Sequence, residues 1–322
     1  MKTRLRLALV LACILTVPIA WAQQYPSRPI HWVVPYTPGG ITDSVTRIVA
    51  DKLGSALAQS IVIENKAGAN SIIGADSVAK STADGYTALT VIAAHAANAT
   101  LYAGKLPFDP VKSFTPVSLV AIAPLILTVS NDFPARDMKE LIAYARANPG
   151  KVSFGTSGIG SASHLTTELL MQTAGIEMVH IAYKGTAPAL AALLAGDIQM
   201  MVDVPSSMMP HVRAAKIRAL GLFAAKRSAG APEVPTVAEA GGPPIEGSTW
   251  VMFLMPAGTP RDVVARVSAE TAKVVGAADI RARFDQLGIE AVGGTPAEAA
   301  KFLDEEIAKW ARVITTAKVK PE

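Results

Sequence analysis

A single cysteine, Cys13, occurs among the 322 residues, so no intrachain disulfide can form. The chain must be held by its own core rather than by the staples of small secreted domains. Aromatic residues are scarce, at 6% of a sequence that is 50% hydrophobic, which predicts a core of Ala, Val, Leu and Ile. A real excess of charge is lacking too. The formal net charge is +4, but Lys2, Arg4 and Arg6 supply three of the 30 basic residues, and the first 22 positions hold no Asp or Glu. Beyond them 27 basic residues face 26 acidic ones, so the electrostatic footprint of a nucleic-acid binder is missing. There is no fixed-period repeat, no low-complexity tract and no Gly-x-x-x-x-Gly-Lys-Ser/Thr loop. No apolar run reaches the ~20 residues of a spanning helix.

What is present begins with an export signal. The basic residues 2–6, the apolar stretch Leu7 to Ala20 and the small-x-small triplet Ala20-Trp21-Ala22 predict a secretory signal peptide over 1–22. Cleavage is expected after Ala22, which places the mature protein in the periplasm. Val10-Leu11-Ala12-Cys13 is a poor lipoprotein box, because Leu11 is atypical and the apolar run continues past the cysteine.

Short apolar runs alternate with helical stretches, the pattern of an α/β protein with mainly parallel sheets. Strands are predicted at 31–35, 61–64 and 86–93, with helices at 42–57 and 71–80. The long apolar run 118–130, broken by Pro124, reads as the chain leaving a first domain. A second strand–helix series follows through residue 223. The Pro/Gly-rich stretch 231–247 reads as a return crossing, followed by a strand at 249–255 and packing helices after Thr259-Pro260 and Thr295-Pro296, both cap-then-proline starts. The expected organisation is one domain from 23–124 plus 248–322 and another from 125–247, inserted in the first. Two crossing segments then create an interdomain cleft able to open and close about a hinge.

Two strand-to-helix turns carry the chemistry. The first contains Tyr36, Pro38, Gly39, Gly40, Thr42 and Asp43. Its glycines allow close backbone approach, and a helix start offers unpaired N–H groups with roughly half a positive charge. Thr42 or Asp43 is expected to cap that helix. The second contains Thr156, Ser157, Gly158, Ser161 and His164, rich in hydroxyls and glycines. Helix starts from two domains, facing one another, hold a carboxylate without a buried fixed cation. The second turn also mimics a dinucleotide fingerprint, yet Tyr183 stands where an acidic residue is needed. Gly-x-Ser-x-Gly is likewise incomplete around Ser157. The five histidines show no metal-ligand spacing, so neither a metal nor a cofactor is expected. Among the remaining polar residues, His95 and Asn98 follow a strand toward the cleft. Asn70 sits in a turn that tolerates positive φ, and Asp203 ends an apolar strand as either a helix cap or a ligand contact. Lys184, in Tyr183-Lys184-Gly185, reads as a solvated lysine.

Several segments together resemble the Bug-type extracytoplasmic receptors of tripartite tricarboxylate transporters. They include Tyr25-Pro26-Ser27-Arg28-Pro29-Ile30, Pro38-Gly39-Gly40-Ile41-Thr42-Asp43, Glu64-Asn65-Lys66-Ala67-Gly68-Ala69, Asp84-Gly85-Tyr86, the run from Phe108 to Val117, Tyr183-Lys184-Gly185 and Val234-Pro235-Thr236. The order matches along nearly the whole mature chain. The resemblance implies a type II-like periplasmic-binding-protein fold of two α/β domains, whose elongated cleft holds a ligand carboxylate through backbone groups and water. It implies that the loops 36–43 and 156–164 pin that group, while Asn70, His95, Tyr183 and Asp203 line the remainder and tune specificity. Thr37 and the loop 93–99 depart from the family pattern. The expected function is capture of a small mono- or dicarboxylate, an amino acid or an aromatic acid, by a monomer that presents it to membrane permease subunits. Rival readings are a ligand sensor for a membrane signalling protein and an exported hydrolase using Ser157 or Ser161 with His164. Asp43 would meet an ammonium if the ligand is an amino acid.

Overall fold

The computed structural model describes residues 25–321. The export signal, Cys13 and the cleavage position after Ala22 lie outside the described residues.

The chain first lays down β1 (Ile30–Val34), α1 (Ile41–Leu57), β2 (Ile61–Asn65), α2 (Ile72–Ala79), β3 (Thr87–Val91), α3 (Ala93–Leu101) and β4 (Phe114–Pro124). One residue, Leu125, separates β4 from β5 (Ile126–Ser130). There follow α4 (Met138–Ala147), β6 (Ser153–Thr156), α5 (Ala162–Ala174), β7 (Val179–Ala182), α6 (Thr186–Ala195), β8 (Met200–Asp203), α7 (Pro205–Arg213) and β9 (Ile217–Leu222). The return comprises β10 (Ser248–Pro256), α8 (Arg261–Gly276), α9 (Ala278–Gln286), β11 (Glu290–Ala291) and α10 (Pro296–Ala317).

The strands form two sheets, ordered β11-β4-β10-β3-β1-β2 and β7-β6-β8-β5-β9, so the molecule is a two-lobed α/β protein. Both sheets are mixed rather than mainly parallel. β1 pairs in parallel with β2 and β3, and β6 with β7 and β8. The strands that enter and leave each lobe (β4, β5, β9 and β10) run antiparallel to their neighbours. A chain that crosses between lobes and comes back must reverse direction, and alternating apolar runs do not reveal that reversal.

Burial explains the elements. In α1, Val45, Ile48, Val49, Leu53 and Leu57 recur at helical spacing and are buried, the stripe that docks a helix on a sheet. Trp32 of β1 packs edge-on against Phe253 of β10 at 4.4 Å between ring centroids, and its indole donates to Thr90 at 2.9 Å. The C-terminal helix α10 starts with a capping box between Thr295 and Glu298. One oxygen of its buried Glu306 accepts the indole N–H groups of Trp250 and Trp310, at 2.9 and 2.8 Å, tying α10 to β10. The parallel expectation for Thr259 does not hold. Pro260 is the N-cap of α8 without a side-chain bond, because the Thr259 hydroxyl donates back to the Pro256 carbonyl at 2.8 Å.

The largest departure from the sequence reading is α3. Residues 93–99, expected as the end of a strand and a loop, form a helix instead. Its Ala-rich sequence supports that outcome, since alanine has the highest helix propensity.

Candidate functional site

Between the lobes lies a cleft of about 790 Å³. Tyr36, Gly39, Gly40, Thr42 and Asn70 line it from the first lobe, and Ser157, Ser161, Ser163, Thr186 and Ser207 from the second. Leu125 and Thr249, at the crossings, also contribute to the lining. A second cavity of about 730 Å³ involves Pro124, Phe223, Arg227, Glu246, Asp285 and Glu306. It mixes charges of both signs, and Arg227 is already paired with Glu239 and Glu306 with Lys309, so it shows no preference for an anion.

On the first-lobe wall, α1 begins at Gly40 with extended backbone and no side-chain cap. The expected capping by Thr42 or Asp43 is therefore absent, and the first-turn amides have no side-chain acceptor. Gly39 reaches φ +91°, a conformation that costs other residues energy. Asp43 does something else. Only 4% exposed, it accepts from the Gly39 amide at 3.0 Å, from Arg47 Nε at 3.0 Å and from Asn65 Nδ2 at 3.0 Å. Burial alone would raise its pKa, but the bonds from Arg47, Gly39 and Asn65 outweigh burial and hold it below the usual carboxylate value. Asp43 braces the loop from behind and does not line the cleft. The Tyr36 hydroxyl is buried without a hydrogen-bond partner, and burial pushes its pKa up to about 12. Ser71 is near enough to affect that titration, yet neither hydroxyl makes a bond of ordinary geometry.

On the second-lobe wall, Ser161 is the N-cap of α5 and accepts from the His164 amide. Its own hydroxyl donates to the Gly158 carbonyl at 2.7 Å. Two histidines back this loop. His164 Nδ1 accepts the Gly160 amide at 3.1 Å, and its Nε2 lies 3.4 Å from Glu168. His180 stacks on His164 at 3.8 Å and bonds Thr156 Oγ1 at 2.7 Å. Burial, with the neighbouring His164 second, lowers the His180 pKa to about 4. Both ring nitrogens of His164 are thus occupied, and the serine hydroxyls of the loop bond to Gly158 or to each other. The Ser–His pair that a hydrolase requires does not form here.

Of the residues expected at the site, Tyr36, Gly39, Gly40, Thr42, Asn70, Ser157 and Ser161 come together in the cleft. Pro38 and Gly158 sit within the same two loops without lining it. Asn70 has φ +49° and is clamped by reciprocal bonds with Asn98 at 2.9 and 2.8 Å. Asp43, Thr156 and His164 support the loops from behind. His95 is displaced from its expected place. It points under α3, 1% exposed, with Nε2 donating to the Pro110 carbonyl at 2.9 Å; burial lowers its pKa to about 4 against the effect of that carbonyl. The Tyr183 ring packs over Gly155. Asp203 is buried, accepting from Thr186 at 2.8 Å and the Val204 amide at 2.7 Å; burial raises its pKa despite both bonds.

Sequence reasoning missed three more helix starts on the cleft. Ile92, Gly185 and Val204 are the N-caps of α3, α6 and α7, none with a side-chain cap, and each or its first turn lines the cleft. Gly185 before Thr186 and Val204 before Pro205 carry recognisable start signals. Ile92 carries none. Chemically, the cleft offers backbone N–H and hydroxyl donors from both lobes to an anion. Among the described residues no group of three His, Cys, Asp or Glu is arranged to hold a metal.

The sequence model of the family described as "Tripartite tricarboxylate transporter family receptor" matches residues 45–319. Protein BugT of Bordetella pertussis is 35% identical over 306 residues, 93% of this chain and 93% of BugT. Among solved structures, the periplasmic binding protein BugD is 32% identical with a TM-score of 0.80, over 92% of this chain and all of that one. Rpa4515 of R. palustris, solved with adipate, is 35% identical with a TM-score of 0.84, again over 92% of this chain and all of that one.

Proposed function

The chain belongs to the tripartite tricarboxylate transporter receptor family, and we propose that it is a receptor that closes its cleft on a small carboxylate and delivers it to membrane permease subunits. Its family consists of solute receptors of the periplasm, not enzymes. The observation that carries the finer reading is the pairing of uncapped helix starts from both lobes across one cleft. Each start favours negative charge and offers directional donors without the desolvation cost of a buried cation. In this reading Gly39, Gly40 and Thr42 grip the carboxylate from one side and Ser157, Ser161 and Ser163 from the other. Adipate in Rpa4515 supports a carboxylic acid as the ligand class. Export with cleavage after Ala22, and a monomeric receptor, complete the proposal.

A thermal-shift screen of the mature protein tests it, using aliphatic and aromatic acids beside their neutral amides. A ligand at ~100 times its Kd stabilises by ~2.7 kcal/mol, a shift of several degrees in a chain of this size. Acids are expected to raise the melting point and amides to leave it unchanged. A screen in which no acid acts, or in which amides act equally, removes the proposal.

A further inference from the structure

We propose that Asn98 is a positioning residue for ligand binding: it holds residues 69–71 in a left-handed conformation that they otherwise leave, so one cleft wall is set before a ligand arrives. The inference rests on the receptor reading above. Four consecutive residues before α2 have positive φ, Gly68 at +142°, Ala69 at +45°, Asn70 at +49° and Ser71 at +75°. Glycine adopts such angles freely and asparagine tolerates them. Alanine and serine resist them, because their Cβ comes too close to the following carbonyl oxygen. Residues with side chains visit this region singly, not in runs. The loop's own sequence therefore opposes its conformation at Ala69 and Ser71.

Little inside the loop offsets that opposition. Ser71 is the N-cap of α2, but its left-handed backbone forfeits the extended geometry in which a serine hydroxyl caps a helix. That hydroxyl is buried without a partner. One local bond closes the turn, from the Ile72 amide to the Ala69 carbonyl at 3.0 Å. Among the described residues, only Asn98 ties residues 68–71 to another element by hydrogen bonds of ordinary geometry. Its Nδ2 donates to the Asn70 carbonyl at 2.8 Å, and its Oδ1 accepts from Asn70 Nδ2 at 2.9 Å. A carbonyl only accepts, so the first bond fixes which way the Asn98 amide faces, and the second agrees with it. Asn98 is 2% exposed and sits on α3, whose residues 93–98 are all buried. The clamp is thus mounted on a packed support.

Asn98 does not itself line the cleft, whereas Asn70 does. Asn70 Nδ2 lies 3.8 Å from where a side chain on Gly160 of the second lobe would begin, so the clamped loop faces the serine loop. Without the clamp the loop relaxes in the free protein. A ligand then has to draw the left-handed form from a minor population, and its apparent affinity drops by that fraction. Asn98 removes this cost in advance, which is preorganisation.

The test is calorimetric titration with adipate and benzoate, one aliphatic and one aromatic acid. The proteins are wild type, Asn98→Ala, the pair Ala69→Gly with Ser71→Gly, and all three changes together. Asn98→Ala is expected to bind about tenfold more weakly than wild type or worse. Glycine accepts the left-handed backbone without a clamp, so the triple variant is expected to recover about fivefold of that loss. The two glycines alone are expected to change affinity less than about twofold. Without ligand, hydrogen exchange at the Ile72 amide is expected to be about tenfold faster in Asn98→Ala than in wild type. Affinity or exchange left unchanged by Asn98→Ala overturns the inference, and so does a loss that the glycines do not restore. If Asn98→Ala does not fold, Asn70→Ala against Asn70→Gly decides. Both lack the same side chain, yet Asn70→Ala is expected to bind about fivefold more weakly, since alanine alone resists the left-handed backbone. Equal binding by those two overturns the inference while the receptor reading stands. If neither acid binds wild type, the inference falls, and the broader acid screen decides the receptor reading separately.

Discussion

Asp43 shows how one residue serves a site it does not touch. In sequence it stands one position after Thr42 at a helix start and reads as a cap or a ligand contact. The structure turns its carboxylate onto the amide of Gly39, the glycine whose positive φ shapes the cleft loop. Removing it leaves that amide without its acceptor and strips one acceptor each from Asn65 Nδ2, which keeps the Tyr36 carbonyl, and from Arg47, which keeps Asn65 Oδ1. Asp43→Ala is therefore expected to cost about 1–3 kcal/mol of stability, read by urea denaturation, and to weaken ligand binding as the loop loosens. A binding loss with unchanged stability would contradict the bracing role and restore direct contact. The sign with pH follows from the depressed pKa. The stabilisation is present above the ordinary carboxylate value near 3.9 and is lost as pH falls through the lower folded value.

At the scale of elements, helix α3 and the α5 loop are each secured by a histidine held neutral. His95 anchors α3 to the segment at Pro110, stacked on Phe108 and edge-on to Phe114. His180 backs the serine loop through Thr156. Both have pKa values lowered to about 4, against an unfolded value near 6.5. Between those limits the unfolded chain takes up protons that the folded one refuses, so stability falls as pH drops from about 6.5 to about 4. The fully buried His95 contributes up to about 3 kcal/mol to that acid limb, on the linkage of roughly 1.4 kcal/mol per pKa unit, and the partly solvated His180 contributes less. His95→Gln keeps an N–H for the Pro110 carbonyl and cannot titrate. Denaturation at pH 4.5 and 7 is expected to show a smaller difference for His95→Gln than for wild type. An unchanged difference would assign the acid limb to other groups.

At the scale of the whole molecule, the lobes are joined where three backbone segments lie side by side. The Leu125 amide donates to the Gly247 carbonyl, the Phe223 amide to the Leu125 carbonyl and the Gly247 amide to the Phe223 carbonyl, at 2.9, 2.8 and 3.1 Å. Helix α5 bridges the lobes as well. Its N-terminal loop lines the cleft, its Leu165 is buried in the cluster that holds Trp310 and Val313 of α10, and its Gln172 donates to the Val313 carbonyl at 3.1 Å. Two glycines permit this fit. A side chain on Gly160, which has φ +75°, would begin 2.3 Å from Leu101 of the opposite lobe, and one on Gly247 would begin 2.2 Å from Thr166 of α5. Gly247→Ala is expected to push α5 off the crossing segment, enlarge the radius of gyration seen by small-angle scattering with ligand, and weaken binding about tenfold, equivalent to 1.4 kcal/mol. Scattering and affinity identical to wild type would show that the crossing absorbs the methyl group without moving α5.

The sequence by itself determined most of the local structure and the chemistry of the loops. Strand-to-helix turns rich in Gly, Ser and Thr declare themselves because helix starts and tight turns depend on neighbouring residues. The helix start at Thr295-Pro296 was legible for the same reason, and the structure adds its box with Glu298. Only the tertiary structure decided which helix starts share the cleft, that His95 faces Pro110, and that Asp43 and Asp203 turn away while Lys184 lines the wall. Those outcomes depend on where strands from distant parts of the chain pair and reverse. Sheet order is a property of long-range packing, and no local pattern encodes it.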